Sequence, residues 1–323
     1  RMDSNINMSN KVLKINNWIR GGECNPFNGC WLEKYNPHSG EILNYYADSN
    51  KEDVNCAIES AADAFKLWSD VTPVRRGQVL SDIVAIMKLE RSALAECIAV
   101  ETGKPMKDAI AEVNAAILQA EFFSGEGMRL YSRTLTSGMP GKYTNSVRQS
   151  LGIAALIVPA NTPIANIAWK TFPALICGNS VILKASEDSP SIAILFAKLT
   201  KRAGLPDGVF NVLQGNGKTT GSLLVEDPKI AVISFTGSTS VGRWIAEVAA
   251  KRLTRVSLEL GGKNPFVVCE DANLNLAVKW AVLSAFSNAG QRCAAGSRIL
   301  IHSNIYEKFK KLFVDATKKM KIG

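Results

Sequence analysis

A single cysteine, Cys293, lies among small residues flanked by arginines, in the segment NAGQRCAAGSR that begins at residue 288. Nearby arginine favours the thiolate over the thiol, and small neighbours allow another molecule to approach the sulfur closely. These features suit a nucleophile, although a buried and inert cysteine is an equally good interpretation of this segment alone. A thiol nucleophile also needs a base, and the chain has only His38 and His302, neither in a motif-like setting. The base is therefore to be sought among carboxylates.

A carboxylate and an amide are further candidates for chemistry. Glu259 lies in the segment VSLELGGKNP, between Leu258 and Leu260 and just before two glycines. We expect a carboxylate in such an apolar strand to be partly desolvated, which suits a general base. Asn161 ends the segment LGIAALIVPAN, where an amide can donate to a developing oxyanion. A turn-forming asparagine is the simpler interpretation of that residue on its own.

The segment GNGKTTG, residues 215–221, has the composition of a phosphate-binding loop. Its Gly-Lys-Thr sequence matches the end of a Walker A motif, but Val212 stands where the first glycine belongs, so the spacing argues against a P-loop NTPase. Gly221 comes one residue too late for a Rossmann dinucleotide fingerprint. Alone, the segment is a weak indication of nucleotide binding.

The segment SFTGSTSVGR is a better candidate for a pyrophosphate site. A predicted strand ends at Phe235. Thr236, Gly237 and Ser238 then open a helix, which offers backbone N–H groups, a hydroxyl and close approach at a glycine. An ordinary Ser/Thr helix cap is the alternative.

Two charged residues follow the strand-like run in VILKASE. Lys184 suits a nucleotide hydroxyl or phosphate, and Glu187 can accept two ribose hydroxyls. Solvated charges at the end of a strand are the alternative interpretation.

The composition limits the class of protein. The chain has 323 residues, of which 46% are hydrophobic and 21% charged, so a globular protein of about two domains is expected. Its apolar runs are too short to cross a bilayer and its N-terminus lacks a signal-peptide pattern, so we expect no membrane span and a cytoplasmic location. The formal net charge of +9 is spread along the chain, so nucleic acid is not the expected partner.

The cysteines argue against disulfides and against a metal site. The chain has 7 cysteines, an odd number, and they are scattered along it. Cys24 and Cys30 lie close together but lack the spacing and partner ligands of a zinc site. No bound metal is expected.

The chain divides into a helical part, an arm and an alternating part. Residues 52–130 show apolar recurrence at three and four residues, which predicts helices that cover a sheet. Residues 132–150 are rich in Thr, Ser and turn residues, which predicts a projecting hairpin. From residue 151, β-branched runs alternate with helical windows, as in a parallel α/β sheet whose ligands bind beyond the carboxyl ends of its strands. The helical windows are residues 190–203, 239–252, 273–287 and 304–320.

Six segments, taken together and in order, resemble the aldehyde dehydrogenase superfamily. They are PANTPIANIAWK, LKASE, GLPDGVFNVLQGNG, FTGSTSVG, LELGGKNP and GQRCAAGSR. The resemblance implies an α/β fold with a Rossmann-type parallel sheet in a nucleotide-binding domain, residues 1–131 and 152–260, and an incomplete α/β catalytic domain, residues 261–323. Residues 132–151 would form a bridging hairpin used in oligomerisation. Members of the family continue well beyond the last predicted helix, so the chain is interpreted as the N-terminal part of a longer protein.

The resemblance also implies a reaction, the NAD(P)-dependent oxidation of an aldehyde to a carboxylic acid. Cys293 would attack the aldehyde to form a thiohemiacetal, and its own N–H and the Asn161 side chain would hold the oxyanion. Hydride transfer to nicotinamide would leave a thioester, which Glu259 would hydrolyse by activating water. NAD is the expected cofactor and NADP the alternative. The full-length protein is expected to be a homo-oligomer, dimer or tetramer.

The resemblance assigns further residues to the cofactor and the substrate. Those expected at the cofactor are Ile157, Lys184, Glu187, Gly217, Gly221, Thr236, Gly237, Ser238, Val241, Leu260 and Gly261. Those expected at the substrate pocket are Thr162, Ala165, Trp169 and Arg292. The family often has Trp and Phe around the catalytic Asn, where this chain has Ala160 and Thr162, so a wider and more polar entrance is predicted. Arg292 also occurs in branches that act on semialdehydes, which makes a semialdehyde a candidate substrate.

Other functions stay open at this point. An acylating, coenzyme A-dependent aldehyde dehydrogenase is the nearest variant, and a non-catalytic nucleotide- or nucleic-acid-binding module would use the positive charge. We also expect residues 1–323 alone to be inactive. In the family a later glutamate holds the nicotinamide ribose, and residues 261–323 by themselves would leave apolar faces uncovered.

Overall fold

The structure is a computed structural model that describes residues 13–321. The chain forms two compact units, an N-terminal unit of residues 13–236 and 240–258 and a C-terminal unit of residues 237–239 and 259–321. The strands are β1 (Leu13–Ile15), β2 (Asn17–Ile19), β3 (Gly22–Cys24), β4 (Trp31–Tyr35), β5 (Ile42–Ala47), β6 (Thr134–Thr136), β7 (Tyr143–Asn145), β8 (Ile153–Ile157), β9 (Ser180–Lys184), β10 (Phe210–Leu213), β11 (Ile230–Gly237), β12 (Arg255–Leu260), β13 (Asn264–Val268) and β14 (Gly296–Ile301). The α-helices are α1 (Lys51–Asp70), α2 (Pro73–Leu89), α3 (Arg91–Thr102), α4 (Met106–Gly125), α5 (Pro163–Ile176), α6 (Pro190–Arg202), α7 (Ser222–Glu226), α8 (Thr239–Ala250), α9 (Leu274–Phe286) and α10 (Tyr306–Lys318).

The main sheet has the order β12-β11-β8-β9-β10-β2-β3 among the described residues. Strands β11, β8, β9 and β10 pair in parallel. Strand β10 then pairs antiparallel with β2, which pairs antiparallel with β3. The predicted α/β fold with a parallel sheet is thus confirmed, with an antiparallel N-terminal hairpin added at one edge.

Helices cover this sheet in layers. Helix α1 packs on β8, β9 and β10, whereas α5 and α6 pack against the same strands and are covered in turn by α2, α3 and α4. Phe196 of α6 makes edge-to-face contacts with Phe172 of α5 and Phe210 of β10, and all three rings are buried. Of the helices predicted over residues 52–130 to cover a sheet, α1 lies on the sheet itself, whereas α2, α3 and α4 form an outer layer on α5 and α6.

A small antiparallel hairpin lies between helix α4 and strand β8 in the sequence. Strand β6 pairs with β7, and the side chains of both strands are exposed. The predicted bridging role of residues 132–151 stays a prediction.

The C-terminal unit has its own small core. Strands β13 and β14 pair in parallel, and Val268, Val278 and Phe309 are buried between them and helices α9 and α10. Val267 and Trp280 are 63% and 50% exposed. The expected exposure of apolar side chains in this segment is confirmed for the described residues.

One strand boundary needs correction and one helix was not predicted. Strand β11 continues to Gly237, beyond the predicted end at Phe235, whereas helix α8 begins at Thr239, as the predicted helical window does. Helix α5 falls outside the predicted helical windows, because it is buried along most of its length and therefore lacks the polar face that a sequence pattern detects.

A buried carboxylate from another helix caps α6. Pro190 is its first residue and has no N–H, and the N-cap residue Ser189 makes no side-chain capping hydrogen bond within the described structure. Glu101, at the end of α3, accepts from the N–H groups of Ser191 and Ile192 over 2.7 and 3.1 Å. Burial raises the pKa of Glu101 to about 7, against the opposing effect of these hydrogen bonds.

We predict that Glu101→Gln removes a component of the pH dependence of stability in the full-length protein. Because the folded-state pKa is raised from 4.5 to about 7, the folded chain holds this proton more tightly than the unfolded chain. The free energy of unfolding therefore falls as pH rises from 4.5 to 7, by on the order of 3 kcal/mol from this group. Gln does not ionise, so the variant should gain stability relative to wild type over that interval, as measured by urea unfolding at several pH values. The control is Glu96→Gln, an exposed change on the same helix, and a pH-independent difference between Glu101→Gln and wild type would contradict the prediction.

Candidate active site

The carboxyl ends of neighbouring parallel strands lie level at one edge of the main sheet. Ile157 pairs with Lys184 and with Phe235, and Lys184 pairs with Leu213. The loops that follow β8, β9 and β10 therefore leave the sheet side by side. These loops carry most of the candidate residues of the N-terminal unit, at the edge where parallel sheets bind their ligands.

Lys184 and Glu187 form an ion pair at this edge. Nζ of Lys184 lies 3.2 Å from Oε1 of Glu187, and the Gly217 N–H donates to the same oxygen over 2.6 Å. The Lys184 side chain is 3% exposed whereas that of Glu187 is 39% exposed, so the carboxylate is the end of the pair that solvent reaches. The structure thus brings together three predicted cofactor residues from the ends of two adjacent strands.

Burial and charge set the protonation of this pair. Burial lowers the pKa of Lys184, and the Glu187 charge opposes that effect only in part. For Glu187, burial alone would raise the pKa, but the Lys184 charge and the hydrogen bond from Gly217 hold it below its ordinary value. Glu187 is therefore ionised at neutral pH and can act as a hydrogen-bond acceptor.

Gly217–Gly221 forms a single π-helical turn that continues into α7. The N–H groups of Lys218, Thr219 and Gly221 all donate to Asn216, and that of Gly217 donates to Glu187. Backbone donors that are engaged within the turn do not form an open cradle for a phosphate. The turn therefore agrees with the spacing argument against a P-loop.

Asn161 lies in a tight turn between β8 and α5. Its Oδ1 accepts from the Thr162 N–H over 2.8 Å, and Asn166 Nδ2 donates to both the carbonyl oxygen and Oγ1 of Thr162 over 2.9 Å. Because Oδ1 is engaged inside the turn, Nδ2 is the end of the Asn161 amide that is suited to donate to another molecule.

Helix α5 carries two predicted substrate-pocket residues of different exposure. Ala165 is buried and Trp169 is 49% exposed. The next residue, Lys170, is buried, and its Nζ donates to Ser234 Oγ over 2.8 Å. Lys170 is not among the predicted site residues, because a helical lysine is ordinarily solvated and only the packing reveals its burial.

The remaining cofactor candidates follow or line the strands β8, β11 and β12. Ser238, Val241 and Gly261 are exposed, and Ile157, Thr236, Gly237 and Leu260 are half-buried. Their contact with a cofactor stays a prediction.

Cys293 is exposed and lies in the C-terminal unit, in the loop before β14. Asn264 Nδ2 donates to the carbonyl oxygens of both Cys293 and Ala295, the latter over 3.2 Å. The Asn264 side chain, at the start of β13, therefore holds the backbone of the loop that carries the Cys293 thiol. Within residues 13–321 the thiol is therefore not buried, in contrast to the inert core cysteine that is the alternative interpretation.

The backbone before Cys293 is strained. Asn288 and Ala289 have φ values of 53° and 55°, a left-handed conformation that costs a non-glycine residue on the order of 1 kcal/mol. Arg292 donates from Nη1 to Ser287 Oγ over 3.0 Å, so its guanidinium is held within the unit. A role of Arg292 toward substrate stays a prediction.

Glu259 is exposed, so the predicted desolvation of its carboxylate is wrong for the described structure. Its strand, β12, is the edge strand of the main sheet, and the neighbouring Leu258 and Leu260 are themselves only half-buried. The apolar neighbours in the sequence therefore do not translate into a buried environment.

Neither a metal cluster nor a membrane span is found in the described part of the chain. Among residues 13–321, no group of three or more His, Cys, Asp or Glu side chains is arranged to hold a metal ion. Over the same range, no helix combines the length and apolarity needed to cross a bilayer.

Residues 25–323 match the model of the family described as "Aldehyde dehydrogenase family". The chain therefore belongs to the aldehyde dehydrogenase family. The resemblance inferred from the six sequence segments is confirmed at this level.

Individual relatives agree with that assignment. The D-glyceraldehyde dehydrogenase (NADP(+)) of Picrophilus torridus is 37% identical over 292 residues, which cover 90% of this chain and 59% of that protein. The NADP(+) succinate-semialdehyde dehydrogenase GabD of Escherichia coli is 35% identical over 305 residues, which cover 94% of this chain and 63% of that protein. A crystal structure of betaine aldehyde dehydrogenase from Staphylococcus aureus in complex with NAD+ superposes with a TM-score of 0.94 at 32% identity, covering 96% of this chain and 62% of the other. The chain thus spans 59% to 63% of the length of these proteins.

We predict that Asn264→Ala loosens the loop that carries Cys293. The substitution removes the Nδ2 group that donates hydrogen bonds to the carbonyl oxygens of Cys293 and Ala295. The loss of each hydrogen bond costs about 1 kcal/mol of stability. Hydrogen exchange of the amides in residues 292–296 of the full-length protein should become faster, on the order of tenfold. The matched control is Asn304→Ala, which removes a hydrogen bond from Nδ2 to Glu270 Oε1 in the same unit. Equal exchange of residues 292–296 in wild type and Asn264→Ala would contradict the prediction.

Proposed function

We propose that the full-length protein oxidises an aldehyde to a carboxylic acid with NAD(P), using Cys293 as the nucleophile. The observation that carries the proposal is the exposed Cys293 thiol, whose backbone is held by Asn264, in a chain that belongs to the aldehyde dehydrogenase family. An exposed thiol with small neighbours meets the first requirement of covalent catalysis, which is access of the substrate to the sulfur.

In the first half-reaction, the Cys293 thiolate forms a bond to the aldehyde carbon, and the electrons of the C=O bond move to oxygen. The Cys293 N–H and the Asn161 amide donate hydrogen bonds to the resulting oxyanion. Nicotinamide supplies the hydride acceptor when it is bound. As the oxyanion re-forms its C=O bond, hydride leaves the carbon with both electrons, and a thioester on Cys293 results.

In the second half-reaction, Glu259 takes a proton from a water molecule while that water attacks the thioester carbon. The tetrahedral adduct then expels the Cys293 thiolate and releases the carboxylic acid. The overall balance is aldehyde, water and NAD(P)+ to carboxylate, NAD(P)H and protons.

The ion pair at the end of β9 supports binding of the adenosine ribose. Glu187 is ionised and partly exposed, and Lys184 and Gly217 fix its position. A carboxylate accepts ribose hydroxyls but repels a 2′-phosphate, so we propose that NAD is preferred over NADP. Ser238 is proposed for the pyrophosphate, with the other predicted cofactor residues around the nucleotide. Both cofactors occur among the relatives, since those from Picrophilus torridus and Escherichia coli carry NADP(+) in their names and the enzyme from Staphylococcus aureus is in complex with NAD+.

The substrate is proposed to be an aldehyde with a polar or charged group, such as a semialdehyde. Thr162 is small and polar at the proposed entrance, and Trp169 presents half of its surface to solvent. Arg292 could pair with a substrate carboxylate after exchanging its contact with Ser287. The succinate-semialdehyde dehydrogenase named above is a relative that acts on such a compound. A cytoplasmic homo-oligomer is the proposed state of the full-length protein.

We predict that Glu259→Gln uncouples the two half-reactions. Amide nitrogen cannot take a proton from water, so one equivalent of NADH per site should form rapidly and steady-state turnover should fall, by on the order of a hundredfold or more. Stopped-flow absorbance at the NADH band separates the two phases, and Cys293→Ala should abolish even the first equivalent. Glu270→Gln, an exposed change in the same unit, serves as the control. Undiminished turnover of Glu259→Gln would sink its assignment as the base, and turnover that appears only with added coenzyme A would favour an acylating enzyme.

We predict that Glu187→Ser relaxes the choice of cofactor. Removal of the carboxylate relieves repulsion of the 2′-phosphate, and Lys184 then attracts it, so the ratio of kcat/KM for NAD to that for NADP should fall by about tenfold. The control is Asp188→Ser, which changes the exposed neighbouring carboxylate. A wild-type enzyme that uses NADP as well as NAD would count against the proposed preference.

A further inference from the structure

Lys104 and Glu112 form a buried ion pair beneath the Asn161 turn. Both side chains are 4% exposed, and Lys104 Nζ lies 2.5 Å from Glu112 Oε2. Lys104 follows the left-handed Gly103 that ends α3, and Glu112 lies on α4. The pair therefore belongs to the helical layer of residues 52–130 and was not selected by the sequence analysis.

Both members of the pair have a second contact, and both contacts reach the same turn. Lys104 Nζ donates to the Asn161 carbonyl oxygen over 2.8 Å. Glu112 Oε1 accepts from the N–H groups of Ile164 and Ala165 over 3.0 and 3.4 Å. The turn is thus held on both sides of Pro163 by groups that lie about fifty residues earlier in the chain.

The start of α5 explains why these contacts are needed. Pro163, its first residue, has no N–H, and the N-cap residue Thr162 makes no side-chain capping hydrogen bond in the described part of the chain. Ile164 and Ala165 are buried, so their N–H groups cannot turn to water for a partner. The Glu112 carboxylate supplies the acceptor and adds a negative charge at the positive end of the helix.

A contribution to the free energy of unfolding does not by itself explain why the Lys104–Glu112 pair is buried here. Burial raises the pKa of Glu112 even though the Lys104 charge opposes it, so the desolvation of the carboxylate is incompletely offset. A buried ion pair commonly adds no more stability than two apolar side chains of similar volume. What apolar side chains cannot supply is a donor to the Asn161 carbonyl and an acceptor for the start of α5.

We propose that Lys104 and Glu112 are positioning residues that hold the Asn161 amide in the orientation needed to donate to the oxyanion. The inference rests on the proposed role of Asn161. The pair acts on the carbonyl group of Asn161 and on the N–H groups of Ile164 and Ala165, and between these points the Thr162 N–H fixes Oδ1 of Asn161. Displacement of a catalytic group by about 1 Å can lower a rate on the order of a hundredfold.

The test is a thermodynamic cycle in the full-length protein, with the rate of the NADH burst as the readout. Lys104→Met with Glu112→Leu replaces the pair by apolar side chains, and Asn161→Ala removes the amide. The apolar pair should slow the burst by roughly 10- to 100-fold and leave the dissociation constant of NAD unchanged. In the Asn161→Ala background the same double change should have little further effect, because the group that it displaces is already absent.

Two companion variants separate positioning from folding. Lys104→Met with Glu112→Gln keeps an acceptor for the start of α5 without leaving an unpaired buried charge. It should slow the burst less than the apolar pair, and it carries the test if the apolar pair does not fold. The control replaces the exposed pair Lys88 and Glu121, which joins α2 to α4, with two glutamines and should leave the burst unchanged.

The outcomes distinguish this inference from the proposed function. A slow burst in Asn161→Ala, combined with a normal burst in the folded pair variants, would overturn the positioning role alone. The positioning role would also be overturned if the reductions in burst rate caused by the pair substitution and by Asn161→Ala were independent and multiplied in the combined variant. A normal burst in Asn161→Ala would overturn the proposed oxyanion role of Asn161 and the positioning role with it.

Discussion

The buried starts of α5 and α6 impose a constraint on the whole N-terminal unit. Each helix follows a strand of the parallel sheet and begins with proline, and its next two N–H groups, at buried positions except for the half-buried Ser191, need an acceptor. Glu112 of α4 serves α5 and Glu101 of α3 serves α6. The starts of the helices that follow β8 and β9 therefore depend for their hydrogen-bond acceptors on the helices that precede them in the chain.

This arrangement buries carboxyl groups at positions where their ionised form costs free energy. Burial raises the pKa of both glutamates, and only Glu112 has a lysine in direct contact with it. At the end of β9 the balance is different, since the charge of Lys184 and the Gly217 N–H bring the pKa of Glu187 below its ordinary value. The buried carboxylates hold the backbone, whereas the more exposed one keeps its charge and is reached by solvent. The position of a glutamate relative to the sheet edge thus decides whether its carboxylate is buried against backbone groups or keeps an exposed charge.

Local sequence patterns predicted much of this molecule and missed its long-range contacts. Periodicity identified the helices of residues 52–130 and the parallel strands, and the positions after the strands singled out Lys184 and Glu187, which the structure shows to be an ion pair. The desolvation expected for Glu259 was wrong because strand burial depends on sheet order, which the segment VSLELGG does not contain. Lys104 gave no signal, because its partners at Asn161 and Glu112 lie in other elements and a lysine after a helix is ordinarily solvated.

The antiparallel edge of the main sheet has a consequence for synthesis on the ribosome. Strand β2 pairs with β10 through Trp18 and Val212, so its partner is translated roughly 10 to 40 s later at bacterial or eukaryotic rates of elongation. Trp18 and Ile19 are buried in the finished fold, and through that interval they belong to a nascent chain with no sheet to join. The hairpin of β2 and β3 is thus translated before the strand that it joins, and its buried side chains have no sheet to pack on until β10 has been made.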